Sequence, residues 1–197
     1  MRTFEHRGAS EINDQKNMSK VIGVTGHPAS GKDTVADYLV SRGFTKISGG
    51  DILREEMIEL GIPTDRSHIQ EYVKEMRKKY GNGYPSEETI NRIKGDTVIS
   101  GVRNSEEVRI FREKLGKDFK LVAVEAPLEV RYSWAKERGR IGDDVSFERF
   151  KTEEEVDRSS DSGSHEVDLI INQSDFKIIN NAGKKELFNE VDKIISK

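Results

Sequence analysis

A glycine-rich stretch near the N-terminus has the residue types and spacing of a phosphate-binding loop. The apolar run from Val21 to Val24 is followed by Gly26, four further residues and then Gly31 and Lys32. Glycines at these two positions let the backbone curl so that successive N–H groups point at an anion. The Lys32 ammonium suits the β- and γ-phosphates of a nucleotide, and a helix that starts here presents its positive end to them. The predicted ATP-binding positions are Gly26, His27, Pro28, Ala29, Ser30, Gly31, Lys32, Asp33 and Thr34.

The residue after the lysine departs from the usual form of such a loop. A hydroxyl normally follows the lysine and helps to hold Mg²⁺, but here Asp33 follows and a hydroxyl arrives only at Thr34. Because carboxylate oxygens are good Mg²⁺ ligands, Asp33 and Thr34 are the predicted metal-binding residues. The alternative is that Asp33 is an exposed acid that only favours the positive end of the helix dipole. The side chain of His27, within the loop, is expected to face outward.

Length and composition restrict the class of protein. A chain of 197 residues is long enough for one α/β domain with a sizeable core, and short for two. Its net charge of -3 provides no overall positive field for nucleic acid, and no apolar run approaches the ~18 residues of a membrane span. The lack of cysteine excludes disulfides, thiolate catalysis and cysteine-ligated zinc. We therefore expect a cytoplasmic protein that binds neither nucleic acid nor membrane.

Alternating strands and helices must position the loop. Strands are expected at 21–24, 44–47, 97–100, 120–125 and 176–180, with helices between them. This alternation favours an α/β fold in which helices cover both faces of a parallel sheet of about five strands. The stretch HEVDLIINQ fits a helix and a strand equally well. Residues 1–19 show little apolar periodicity and are interpreted as a flexible leader, so that one domain spans 20–197.

Between the second and third strands the sequence predicts a helical region at about 51–95. Asp51 is a good N-cap for its first helix, a second helix is expected at 67–80, and a short third helix begins near Ser86. Because these helices are not separated by strands, we expect them to form a flap beside an acceptor site.

The ligand is expected at one edge of the sheet. In open parallel sheets, ligands bind where the strands end, at their carboxyl ends. Polar residues that follow the predicted strands should therefore converge, and these are Lys32, Asp51, Arg103 and Glu125.

Several motifs after the loop resemble those of nucleoside monophosphate kinases. ISGGDILREE is similar to the acceptor-site motif of that family, in which an arginine grips the acceptor phosphate, and ISGVRN is similar to its third-strand motif. VRYSWAKERGR resembles its lid segment, which implies a short lid at about 138–146. The acceptor-binding residues implied by this resemblance are Gly50, Asp51, Arg54 and Arg103, and the catalytic residues are Lys32, Arg131, Arg138 and Arg140.

The C-terminal stretch FKIINNAGKKEL resembles the strand and loop that border the donor base in dephospho-CoA kinases. As a set, the motifs between 20 and 197 resemble archaeal-type P-loop proteins that are nucleoside-monophosphate-kinase-like or dephospho-CoA-kinase-related. The resemblance implies a three-layer P-loop kinase fold, ATP or GTP as donor, Mg²⁺ as cofactor and a small anionic nucleotide as acceptor. One position departs from it, since Ser100 stands where relatives have an aspartate that orders Mg²⁺ through water.

The expected activity is transfer of the γ-phosphoryl group of ATP to a nucleoside monophosphate or a similar nucleotide, which requires positioning and positive charge more than covalent help. Two alternatives remain. In a dephospho-CoA kinase the acceptor is a ribose hydroxyl, and Asp51 or Asp33 would serve as its base. In a regulatory nucleotide-binding protein or weak ATPase there is no second substrate, and the loss of the acid at Ser100 favours this alternative.

Overall fold

Five parallel strands form the sheet that carries the loop. The computed structural model describes residues 19–139, 144–159 and 164–196. The strands are β1 (Val21–Thr25), β2 (Thr45–Ser48), β3 (Thr97–Ser100), β4 (Phe119–Glu125) and β5 (Phe176–Ile179). Their order across the sheet is β2-β3-β1-β4-β5, and each neighbouring pair is parallel. The predicted α/β fold with a parallel sheet of about five strands is confirmed.

The helices of the described residues alternate with these strands, except in two places where several helices follow one another. They are α1 (Lys32–Ser41), α2 (Gly49–Glu59), α3 (Arg66–Tyr80), α4 (Ser86–Asn91), α5 (Ser105–Leu115), α6 (Leu128–Arg138), α7 (Phe147–Ser159), α8 (Ser164–Gln173) and α9 (Lys184–Ile195), with one turn of 3₁₀-helix at Gly116–Asp118. The stretch HEVDLIINQ, whose pattern fitted two structures, lies in α8. The first 18 residues of the predicted leader lie outside the described residues.

Two apolar cores lie on opposite faces of the sheet and produce three layers. Successive residues of a strand point to opposite faces, so Val21 belongs to one core and Ile22 to the other. One core includes buried residues of α1 and α9, such as Leu39 and Leu187, and the other includes residues of α5 and α8, such as Phe111 and Ile170. The helix layers therefore hold both ends of the loop between β1 and α1 in fixed positions.

The start of α2 corrects one prediction. Asp51 was expected to cap this helix, but α2 begins at Gly49 with Ser48 as its N-cap residue, so Asp51 lies within the first turn. The reason is that β2 passes directly into α2 without a connecting loop. The Asp51 carboxylate instead accepts a hydrogen bond from Arg54 Nη1 at 2.7 Å.

The helical region α2 to α4 has a small core of its own. Leu53, Met57 and Tyr72 form a buried cluster between α2 and α3. Glu56 Oε2 accepts hydrogen bonds from the hydroxyls of Tyr84 (2.5 Å) and Tyr72 (3.2 Å). Burial, together with this carboxylate, raises the pKa of Tyr72 to about 12, so its hydroxyl remains a donor at neutral pH. The predicted helical excursion is therefore a packed unit.

This unit is attached to α5 at the end of α3. Asn104 Nδ2 donates to Asn82 O at 3.0 Å, and Arg77 Nη2 lies 3.8 Å from Glu107 Oε1. Gly83 packs so closely on α5 that an added Cβ would lie 1.9 Å from Ile110 Cδ1.

In the part of the chain that is described, no helix has the length and apolar character needed to cross a membrane.

Candidate functional site

The loop between β1 and α1 has a backbone that only glycine permits at two positions. Gly26 has φ 145° and Gly31 has φ 96°. A Cβ on Gly26 would lie 2.3 Å from Val124 O of β4, and a Cβ on Gly31 would lie 2.3 Å from Asn180 Nδ2. The first turn of α1 has no side-chain cap from its N-cap position, because that residue is Gly31. Its N–H groups are therefore suited to an anionic ligand.

Carbonyl groups of the loop are held by side chains from inside and outside it. Because the carbonyl and N–H of a peptide unit point in opposite directions, fixing the carbonyls also fixes the direction of the N–H groups. The contacts are Lys32 Nζ to His27 O at 3.4 Å, Arg131 Nη1 to Pro28 O at 3.4 Å and Asn180 Nδ2 to Ser30 O at 2.9 Å. The loop is therefore preorganised by residues of α1, α6 and the segment after β5.

Some polar atoms of the loop and of the strand end before it are buried without a partner. Among the described residues these include the hydroxyl oxygens of Thr25 and Ser30 and the Nδ1 atom of His27. Buried polar atoms are normally satisfied by a protein group, a water or a ligand. This pattern fits a loop that receives a polar ligand.

His27 is oriented differently from the prediction. Its side chain was expected to face outward, but the residue is 7% exposed, and Nε2 lies 2.8 Å from Asp168 Oδ1. Asp168 lies on α8, whose buried residues pack on the sheet beside the loop and bring a carboxylate within reach of the imidazole. The contact joins positions 141 residues apart in the chain, which local sequence patterns do not reveal.

Arg131, one of the predicted catalytic arginines, is 4% exposed. It donates from Nε to Ala126 O at 3.0 Å and from Nη1 to Pro28 O. These contacts are with backbone, and they connect α6 to the loop. Arg138 is exposed in the last turn of α6, whereas Arg140 lies outside the described residues. The catalytic roles of these arginines stay predictions.

Asp33 and Thr34 lie in the first turn of α1 and are half-buried. Mg²⁺ in nucleotide sites usually takes one or two protein oxygens and completes its coordination with phosphate oxygens and water. A carboxylate and a hydroxyl directly after Lys32 are such oxygens. The residues present therefore fit a Mg²⁺ ion that is bound together with a nucleotide.

The acceptor-motif residues of α2 are close to one another. Asp51 and Arg54 form an ion pair, and both side chains are exposed. The position of a Cβ on Gly50 lies 3.5 Å from Arg54 Nη1, so the guanidinium lies over the first turn of the helix. Asp51 also lines an open cleft of ≈ 570 Å³ along β2. The structure thus brings Gly50, Asp51 and Arg54 together.

The segment that carries Arg103 begins at the same edge of the sheet as this group. In register, Ser100 of β3 pairs with Val24 of β1 on one side and with Ser48 of β2 on the other. The chain therefore leaves three adjacent strands at the same edge, where the loop, the start of α2 and the segment 101–104 emerge. Ser100 itself is half-buried at this edge.

Glu107, which belongs to the capping box that the sequence predicts at 104–107, also holds the backbone of Arg103. Its Oε2 accepts from Arg103 N at 3.1 Å, and its own N–H donates to Asn104 Oδ1 at 2.9 Å. Burial raises the pKa of the Glu107 carboxyl, with the Arg103 N–H and Arg77 acting in the opposite direction. The signal in the sequence is the Asn-x-x-Glu capping pattern at 104–107.

Sequence reasoning missed Asn180 and Asp168. Asn180 is 6% exposed, and its N–H donates to Glu125 O at 2.7 Å while its side chain holds the loop. Glu125, expected among the converging residues, thus contributes its backbone carbonyl here. No sequence pattern pointed to these two contacts, because both join distant parts of the chain.

Comparison with known proteins places these features in a family. A family model described as an AAA domain matches residues 22–158. The chain is 31% identical over 183 residues to a UPF0200 protein of Methanosarcina mazei, covering 91% of this chain and 95% of that protein. It is 32% identical over 184 residues to a UPF0200/UPF0201 protein of Archaeoglobus fulgidus, of which it spans 55%.

The fold is also found in solved structures. Shikimate kinase from Bacteroides thetaiotaomicron superposes with a TM-score of 0.58 at 10% identity, covering 90% of this chain and 97% of that enzyme. This likeness shows that the three-layer arrangement is the P-loop kinase fold. The family model matches most of the chain, and the Methanosarcina mazei protein is covered over 95% of its length. The chain therefore belongs to the UPF0200 family of archaeal P-loop proteins.

Proposed function

We propose that the protein is a cytoplasmic, ATP-dependent kinase that transfers the γ-phosphoryl group to a nucleoside monophosphate or a similar small anionic nucleotide. The observation that supports the proposal is the adjacency of β1, β3 and β2, because the loop, the start of α2 and the segment 101–104 leave these strands at one edge of the sheet. Neighbouring strands are about 5 Å apart, so the carboxyl ends of β1 and β2, with β3 between them, lie about 10 Å apart.

The loop binds the donor. The N–H groups of the loop and of the first turn of α1 bind the phosphates, and Lys32 neutralises their charge as the amine leaves His27 O. Asp33 and Thr34 hold the metal. When bound, Mg²⁺ neutralises charge on the β- and γ-phosphates and fixes their geometry.

Arg54 and Arg103 bind the acceptor phosphate. An oxygen of this phosphate forms a bond to the γ-phosphorus as the bond from that phosphorus to the β,γ-bridging oxygen breaks, which leaves ADP. A phosphate nucleophile that is already ionised needs no base, and arginines suffice to orient it. Arg138 and Arg140 stabilise the charge of the transferring group, and Arg131 supports them by holding α6 to the loop.

The relationship to known kinases supports this proposal. Shikimate kinase, whose fold the chain shares, is named for a small anionic acceptor. In this chain, Arg54 and Arg103 are the proposed source of the positive charge that an anionic acceptor needs.

A second candidate is phosphorylation of a hydroxyl, as in dephospho-CoA kinase. The observation that favours it is Asp51, a carboxylate that lies beside Arg54 and lines the cleft. A hydroxyl acceptor needs a base to take its proton, and this carboxylate is available in the acceptor motif. A third candidate is a regulatory nucleotide-binding protein or weak ATPase, which Ser100 favours because no acid ends β3.

One assay separates these candidates. ADP release is measured with Mg²⁺–ATP alone, then with each nucleoside monophosphate, and then with dephospho-CoA. We expect at least one nucleoside monophosphate to increase the rate. An increase with dephospho-CoA alone supports the hydroxyl acceptor, and a rate that no acceptor changes sinks the kinase proposal.

A further inference from the structure

We infer that Asp168 of α8 is a positioning residue for the nucleotide site and acts through His27 of the loop. The inference rests on the proposed use of this loop as a phosphate site. It goes beyond that proposal because it assigns a role to a helix that no motif connects with the donor.

The contact itself is specific. His27 Nε2 lies 2.8 Å from Asp168 Oδ1, and His27 is 7% exposed. A carboxylate only accepts hydrogen bonds, so Nε2 carries the proton, and the hydrogen bond fixes both the tautomer and the plane of the ring. His27 Nδ1 has no partner among the described residues, so within them only the Nε2 atom anchors the ring by a hydrogen bond.

His27 also organises the rest of the loop through its backbone. Its carbonyl oxygen accepts from Ser30 N at 3.2 Å and from Lys32 Nζ at 3.4 Å. The residue that Asp168 anchors is therefore the one that shapes the loop turn and holds the phosphate-binding amine before a ligand arrives. A shift of the His27 ring would move its carbonyl oxygen and with it Ser30 N and Lys32 Nζ. Displacements of about 1 Å reduce the activity of catalytic sites strongly.

Helix α8 is rigid enough to serve as the support. Val167, Ile170 and Ile171 are buried against the sheet, with exposed fractions of 8%, 0% and 4%. Positioning groups are most effective when they lie on an element fixed by packing. Asp168 lies between these apolar residues in the sequence of α8, so the packing of the helix fixes the position of its carboxylate relative to the loop.

The test is binding of Mg²⁺–ADP, measured by titration calorimetry at pH 7.5. We expect Asp168→Ala to weaken the affinity about tenfold, because the hydrogen bond to the ring is lost. Asp168→Asn keeps an acceptor oxygen and should retain affinity within about threefold of the wild type. Glu166→Ala, on the same helix and without a contact to His27, is the matched control and should leave the affinity unchanged.

A double-mutant cycle tests whether the effect passes through the imidazole. His27→Ala combined with Asp168→Ala should bind Mg²⁺–ADP no more weakly than His27→Ala alone. Additive losses overturn the inference, as does an Asp168→Ala variant that binds like Glu166→Ala. A purely structural role would lower the melting temperature of Asp168→Ala and leave the affinity unchanged.

A measurement on the wild type covers the case in which Asp168→Ala does not fold. Amide hydrogen exchange of residues 167–171 should slow when Mg²⁺–ADP is added, because the ligand and α8 are connected through His27. Unchanged exchange there overturns the inference. These experiments measure binding without transfer, so an enzyme that binds ADP but phosphorylates no acceptor refutes the proposed function alone, whereas a wild type that binds no ADP refutes both.

Discussion

At the scale of single residues, Asp33 is the position where the loop departs from its usual form. It lies in the first turn of α1 beside the phosphate-binding lysine. Asp33→Ala removes a carboxylate oxygen from the proposed metal site, so the Mg²⁺ concentration that half-saturates turnover should rise about tenfold. Asp37→Ala is the control, since Asp37 lies one turn further along α1 and pairs with Lys46 on the surface. An unchanged Mg²⁺ requirement in Asp33→Ala would show that this acid only favours the helix dipole.

Substitution of Arg54 tests the proposed acceptor site separately from the proposed donor site. It pairs with Asp51, forms no hydrogen bond or ion pair with the loop among the described residues, and has a side chain that is 50% exposed. Arg54→Ala should raise the KM for the acceptor at least about tenfold while ATP affinity stays the same, because a charge-assisted contact to the acceptor phosphate is lost. Arg109→Ala removes a similarly exposed arginine that pairs with Glu106 and Glu113 on α5, and should change neither quantity. Loss of ATP affinity in Arg54→Ala contradicts the assignment.

The residues that are proposed to bind ligand were readable from local spacing, whereas the residues that support them were not. Gly26, Gly31 and Lys32 stand within one short motif. The side chains of Asp168 and Asn180 meet the loop across 141 and 150 residues of sequence. Such contacts depend on which helices pack together, and a single sequence does not encode that in a local pattern. The prediction that the His27 side chain faces outward was wrong for this reason.

At the scale of elements, the loop depends on how closely β1 and β4 approach. Gly26→Ala would place a methyl group 2.3 Å from Val124 O in addition to the strain of a positive φ. We expect it to lower the free energy of unfolding by about 2–4 kcal/mol and to abolish nucleotide binding. Gly43→Ala is the control, because Gly43 has φ 97° but nothing within 4 Å of the added Cβ. It should cost about 1 kcal/mol, as measured by urea unfolding, and equal costs at the two positions would refute the close approach as the cause.

The start of α5 carries two neighbouring acids with opposite pH dependence. Burial raises the pKa of Glu107 above its ordinary value of about 4.5, so the folded protein binds this proton more tightly than the unfolded chain. The stability that Glu107 contributes is therefore greatest below pH 4.5 and is lost as the pH rises through its folded pKa. The hydrogen bond from Arg109 lowers the pKa of the Glu106 carboxyl below its ordinary value of about 4.5. The stability that Glu106 contributes is therefore present above pH 4.5 and is lost as the pH falls.

Urea unfolding of two matched variants between pH 4 and pH 8 tests this pair. The free energy of unfolding of wild type minus that of Glu107→Gln should decrease as the pH rises from about 4.5. The same difference for Glu106→Gln should instead decrease at the acid end. Parallel curves for the two variants would contradict the burial of Glu107 as the cause.

Element types followed from periodicity, but two details needed the tertiary structure. The strands were predicted to within a residue or two, since their apolar runs are short and bounded by turn residues. The beginning of α2 was misplaced because β2 enters the helix directly. The pattern of α8 fitted two structures because Val167, Leu169, Ile170 and Ile171 are apolar at both helical and strand spacing.

At the scale of the molecule, strand order decides which residues become neighbours. Parallel strands alternating with helices were predictable, but the order β2-β3-β1-β4-β5 was not stated by any sequence pattern. This order sets β3 between the donor loop of β1 and the acceptor motif of β2. The carboxyl ends of β1 and β2 are then about two strand spacings apart, near 10 Å. For the proposed transfer, donor and acceptor phosphates bound at these two strand ends must extend toward each other across the end of β3.

The most direct test of the central claim follows the γ-phosphoryl group itself. Wild-type protein and Lys32→Ala are incubated with γ-labelled ATP, Mg²⁺ and one nucleoside monophosphate at a time, with Lys193→Ala as a control for a surface lysine of α9 that pairs with Glu190. The account predicts label in a nucleoside diphosphate for the wild type and Lys193→Ala, and none for Lys32→Ala. Label that appears only in inorganic phosphate, whichever acceptor is present, would contradict it.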